Sequence, residues 1–259
     1  MKKIIMFLLL AISTLSLNNS CSSTDSEIKR EVEKLNKTCP ISLGACGDVT
    51  SITYDNKTIT YNILAEDIYI NTQYANKYPD KIKDNIIITM VQSGNTDIKD
   101  LSNLCHNKKI SIEYKYTKRA SREILSLVLS PDEFYEKYQK FEKYSSYEID
   151  RYSLDIQIEA MKMSLPVVLG EGMTFTETFA DEHNFFYLYK TDQNIFNNIS
   201  QNTLATKQNI VSNLNPNDLA LANFMRLLIR LKMNLVYRYT TDHDTCDIII
   251  YNDELSKIF

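Results

Sequence analysis

The sequence predicts an α+β protein built from two tandem repeats. Each runs helix, β-hairpin, helices, β-hairpin, with an antiparallel sheet covered on one face by helices. Three observations predict it. ISIEYKY and MNLVYRY set Ile110, Ile112, Tyr114 and Tyr116 against Met233, Leu235, Tyr237 and Tyr239, so one alternating apolar face is written twice. The run from Cys39 to Ile63 faces the run from Leu165 to Tyr189 without a gap. At that offset of 126 residues, Pro40 meets Pro166, Leu43 meets Leu169, Gly44 meets Gly170, Asp55 meets Asp181 and Tyr61 meets Tyr187. Upstream, Ile28, Val32 and Leu35 face Leu154, Ile158 and Met161, spaced by four and three as on one helical face.

The elements follow in order. After each first helix a Pro-containing turn leads into a hairpin, with strands near 49–54 and 58–65 in the first copy and 175–180 and 184–190 in the second. DNK and DEHN supply the Asp and Asn that tight turns favour. Helical stretches come next, including DKIKDNIIITMVQ and TDIKDLSNLCH in copy one and roughly 193–212 and 216–230 in copy two. The offset then falls to 123, a deletion inside the loops of copy two, before the second hairpin closes the unit. A further two-residue contraction in its turn then sets Leu125, Leu127 and Leu129 against Cys246, Ile248 and Ile250. The expected segments are a leader at 1–20, a tether at 21–25, unit one at 26–134, a helical linker at 135–147 and unit two at 148–259. Phe134, Tyr138 and Phe141 make a stripe at helical spacing that is expected to pack on its own domain.

Composition is ordinary for a globular chain, with 44% hydrophobic and 24% charged residues. MKKIIMFLLLAISTLSLNNSCSS reads as a secretory signal peptide, its apolar run too short to span a bilayer. Cys21 is the expected lipid attachment site, placing the protein in the cell envelope. It would be held on a membrane, the outer one by preference with a periplasmic or surface face, by acyl chains such as palmitate. Asn18 stands where a lipobox usually has Leu. Formal charge is −4, and losing Lys2 and Lys3 with the leader makes the chain more acidic still, so nucleic acid is not an expected partner.

Cys39 and Cys105 are both replaced by leucine in copy two, at Leu165 and Leu228. Paired replacement by apolar residues suggests a Cys39–Cys105 disulfide, the other reading being two buried thiols. Cys46 and Cys246 carry no positive sign of pairing, and no CxxC occurs.

The motifs GxSxG, GxxxxGK[ST], GxGxxG and HExxH are absent. The weak metal candidates are Asp181 and His183 with Glu182 in one turn, and Asp242 and His243 with Asp244 in another, on the condition that both turns meet at one end of the sheet. No metal or other cofactor is expected. Asp132–Glu133 and Asp253–Glu254 recur with the repeat and read as solvated residues after a last strand.

NKTCPISL, a strand carrying Tyr61, and Cys105 before ISIEYKY together resemble a recurrent unit of uncharacterised bacterial secreted proteins and lipoproteins, and the loose lipobox resembles those of the Bacteroides group. The resemblance implies tandem Cys-Pro/Tyr-x-Tyr α+β units and no transferable activity. The expectation is a membrane-anchored, non-enzymatic lipoprotein of binding, inhibitory or immunity type with a protein partner. The alternative is a periplasmic metal-dependent hydrolase using the acidic and histidine turns of copy two.

Overall fold

The computed structural model describes residues 25–67, 70–93 and 96–259; the expected leader and Cys21 lie outside these residues. Two compact units divide between Ile149 and Asp150. The first comprises α1 (Asp25–Asn36), β1 (Ile41–Ser42), β2 (Gly47–Asp55), β3 (Thr58–Ala65), α2 (Thr72–Lys77), α3 (Pro79–Gln92), α4 (Thr96–Lys108), β4 (Ser111–Lys118), β5 (Ile124–Leu129) and α5 (Pro131–Phe141). The second repeats this order. It has α6 (Ser146–Lys162), β6 (Val167–Gly170), β7 (Met173–Ala180), β8 (Asn184–Thr191), α7 (Gln193–Gln201), α8 (Thr203–Ser212), α9 (Leu219–Arg230), β9 (Asn234–Thr240), β10 (Thr245–Ile250) and α10 (Asn252–Ile258).

The chain is therefore an α+β protein of two similar halves, each with a five-stranded sheet whose strands lie in sequence order. Both hairpins of each sheet are antiparallel, as the turn residues predict. Where the hairpins meet, β3 and β4, like β8 and β9, run parallel. Three helices lie between those strands, and such a crossover carries the chain from the end where β3 or β8 finishes back to the end where it began, which a tight turn cannot do. Each sheet is therefore mixed and not wholly antiparallel as expected.

Register proves the repeat at the level of single pairs. Tyr61 lies opposite Tyr114 and Tyr187 opposite Tyr237, while both β2 and β7 carry a bulge at the matching place, between Val49 and Ser51 and between Phe175 and Glu177. In each bulge a threonine hydroxyl donates across the hairpin, Thr50 to Asn62 O at 3.1 Å and Thr176 to Leu188 O at 3.3 Å. The helix ends match too. Lys109 and Lys232 take left-handed φ values of 56° and 55°, letting Ile110 N reach Cys105 O and Met233 N reach Leu228 O, each at 2.9 Å.

Alternate strand residues fill the core beneath the helices. In unit two, Tyr187, Tyr237 and Tyr239 join Leu154 and Ile158 of α6 and Phe224 and Leu228 of α9 in one buried cluster. Phe134, Tyr138 and Phe141 are buried, as their spacing predicts. They belong to α5, the counterpart of α10, so much of the segment expected as a linker is the closing helix of unit one. The recurrent carboxylates open these helices. Glu133 meets Lys83 of α3 at 2.9 Å, and Glu254 meets Lys207 of α8 at 2.6 Å while accepting the Tyr251 amide at 2.8 Å. They are capping and docking groups.

One glycine change has a clear cause. Gly172 stands where unit one has Cys46, at φ 79°, and a Cβ there would lie 2.1 Å from Asp192 Oδ2. Asp192 is occupied capping α7, its carboxylate accepting Ile195 N at 2.8 Å.

Candidate binding surface and the predicted site residues

The histidine turns do not meet. His183 precedes β8 and its carbonyl accepts Asn234 N at 2.8 Å, which fixes it at the start of β9. His243 follows the end of β9, in the turn to β10. Because β8 and β9 are parallel, the two turns sit at opposite ends of the sheet, about 20 Å of strand apart. The condition for a metal site built from Asp181, His183, Asp242 and His243 is not met. Among the described residues no cluster of three or more His, Cys, Asp or Glu side chains is arranged to hold a metal ion. Asp181 instead accepts the His183 and Asn184 amides at 2.8 and 2.7 Å. Burial opposes its ionisation, but these donors outweigh it and hold the carboxyl below its ordinary range. Asp242 pairs with Lys190 at 2.9 Å, which likewise holds its carboxyl low. The third histidine, His106, stacks on Tyr135 with ring centroids 4.5 Å apart. Its Nδ1 stands 2.9 Å from Asp132 Oδ1 without the alignment of a hydrogen bond.

The expected Cys39–Cys105 disulfide is not formed in this structure: Cys39, Cys46, Cys105 and Cys246 are all free thiols. Cys105 lies fully buried on the inner face of α4, and Cys39 is half-buried in the turn after α1. Burial pushes the Cys105 thiol up to about 12, far from the thiolate that redox chemistry or metal binding requires. Around it the core of unit one holds polar groups without protein partners among the described residues: the hydroxyls of Tyr61, Tyr114 and Ser102. The Tyr61 and Tyr114 rings stack at 5.5 Å, and burial raises both phenols well above their ordinary range. Such groups are inert at neutral pH.

The feature that distinguishes the units is the sheet face opposite the buried cluster, on which Phe186 and Val236 of unit two are themselves buried. In unit one it is polar and internally bonded. Glu113 accepts Thr60 Oγ1 at 2.9 Å and Ser126 Oγ at 2.6 Å, and Asn62 donates to Ser51 Oγ at 3.0 Å. At the matching places unit two has Phe186 for Thr60, Leu188 for Asn62 and Val236 for Glu113. Phe186 stacks on Phe179 at 4.6 Å, and the Arg238 guanidinium lies 4.8 Å over its ring while bonding Asp247 through both nitrogens at 2.8 and 2.7 Å.

The edge strand beside this face is also apolar. β6 pairs with β7 on one side only, and all four of its residues, Val167, Val168, Leu169 and Gly170, are exposed, Val168 by 75%. The corresponding β1 of unit one is two residues long, with Ile41 half-buried. A soluble sheet usually protects such an edge with charge, and β6 carries none. The apolar outer face has a signature in sequence: NFFYLYK and NLVYR break the strict alternation of TITYNIL and SIEYK on their outward positions. Aligning inward positions alone passes over it.

No family model, curated protein or solved structure matches the chain.

Proposed function

We propose that the protein is a lipid-anchored, non-enzymatic binding protein of the bacterial cell envelope, of inhibitory or immunity type, and that its binding element is the edge of the second sheet. The observation that carries this reading is β6. Four consecutive uncharged residues have no strand beside their outer backbone donors and acceptors among the described residues and hold their side chains in water, which suits an extended peptide segment of a protein partner adding as a further strand. Support also comes from the scattered chemistry of the rest of the chain. His183 and His243 lie at opposite ends of their sheet, Cys105 is desolvated, and the carboxylates cap helices and turns, so the hydrolase alternative loses the turn-to-turn site on which it depended.

The test places a photo-crosslinking residue at Val168 or, as control, at Ser42 in β1, in the acylated protein within its native envelope. A defined crosslinked protein at Val168 and none at Ser42, abolished by V167K, is the expected result. Equal labelling at both positions, or labelling of lipid alone, refutes the edge as the binding element.

A further inference from the structure

The geometry points to the membrane-facing end of unit one: the end formed by the β2–β3 turn and the α4–β4 junction, with a lipid bilayer as the partner. The inference rests on acylation at Cys21. Four residue steps separate Cys21 from Asp25, where α1 begins. Even fully extended they reach about 14 Å. The fold fixes where that reach starts. Asp25 Oδ1 lies 3.8 Å from Lys57 Nζ in the β2–β3 turn, and Lys57 Nζ in turn donates to Lys108 O at the end of α4 at 3.3 Å. From there α1 runs inward along the sheet, for Asn36 Oδ1 accepts the amide of Ile52, which lies opposite Tyr61.

The opposite end of the sheet is out of reach. β3 runs from Thr58 at the near end to Ala65 at the far end, about 23 Å of strand. At the far end Arg119 N donates to Ala65 O at 2.8 Å, and the amides of Ala120 and Ser121 donate to Asp67 at 2.8 and 3.0 Å. A tether shorter than the strand holds the near end toward the lipid. Charge does not set the orientation, because Lys57 and Lys109 are already paired with Asp25 and Asp132. The covalent reach does.

Two fluorescent labels read this orientation: one on a clickable residue replacing Asn107, exposed at the near end, and one replacing Ala120, exposed at the far end. The acylated full-length protein is placed in phosphatidylcholine vesicles containing a headgroup-nitroxide lipid, and its intact mass is measured on the same sample. The expected result is acyl mass on the chain and quenching several-fold stronger at 107 than at 120, unchanged when part of the lipid is phosphatidylglycerol. Acyl mass with equal or reversed quenching overturns the orientation and leaves the lipoprotein reading standing. A chain without acyl mass overturns that reading and, with it, the inference.

Discussion

Unit one and unit two hold the same ten elements in the same registers, yet they differ in chemistry on both sides of the sheet. Inside, Cys39, Ser102 and Cys105 become Leu165, Met225 and Leu228. Outside, Thr60, Asn62 and Glu113 become Phe186, Leu188 and Val236, while the bulge threonines and the left-handed lysines that end α4 and α9 stay fixed. Backbone pairing, bulges and helix ends set the fold, and they tolerate a change of side-chain character on either face provided the alternation survives. What the duplication left free to diverge is where the two units can do different work.

Exchanging outward residues between the units tests this comparison most sharply. Val236→Glu would put unit one's residue at a position only 2% exposed in unit two, without the Thr60 and Ser126 hydroxyls that serve Glu113. It should destabilise by about 3 kcal/mol or more in urea unfolding. The reciprocal Glu113→Val should cost about 1 kcal/mol or less. Equal costs would show that the two faces do not differ in burial.

Cysteine reactivity gives the next largest contrast. With its thiol raised from an ordinary value near 9 to about 12, Cys105 should alkylate roughly a thousandfold more slowly in the native state than an unperturbed thiol, in a mass-resolved time course at pH 8. Rapid labelling of Cys105 would mean that the core of unit one opens locally. The buried phenols carry the same logic into alkali. Their folded-state values lie above the ordinary tyrosine value of 10, so the stability they contribute is complete below pH 10 and is lost as pH rises beyond it. Tyrosine ionisation followed by absorbance should therefore come late and together with unfolding.

A smaller effect should follow from removing an orphan hydroxyl. Tyr61→Phe or Tyr114→Phe deletes a buried group without a protein partner among the described residues, and either change should leave stability equal or raise it by about 1 kcal/mol in thermal unfolding. A loss of more than that would reveal a partner such as a buried water.

The smallest expected effect is at the closing helix of unit two. Lys207, then the Tyr251 amide, hold Glu254 below its ordinary value of 4.5, so its contribution is present above that value and lost as pH falls through the lower folded one. Protection of the α10 amides, taken relative to their intrinsic exchange rates at each pH, should fall in acid before that of the core does, and Glu254→Gln should remove most of that acid dependence.

Much of this was legible in the chain. The doubled Tyr-x-Tyr strands, the proline-anchored turns and the helical spacing from Ile28 to Leu35 specify the elements, their order and their buried faces, because side-chain periodicity is set by local backbone geometry. Tertiary structure alone decided the rest. Parallel pairing of β8 with β9 separates His183 from His243, burial turns Cys105 into an inert thiol, and the sheet edge leaves β6 in water. Each depends on which strand lies beside which and on what covers a given atom, and such long-range relations leave no periodic trace along the sequence.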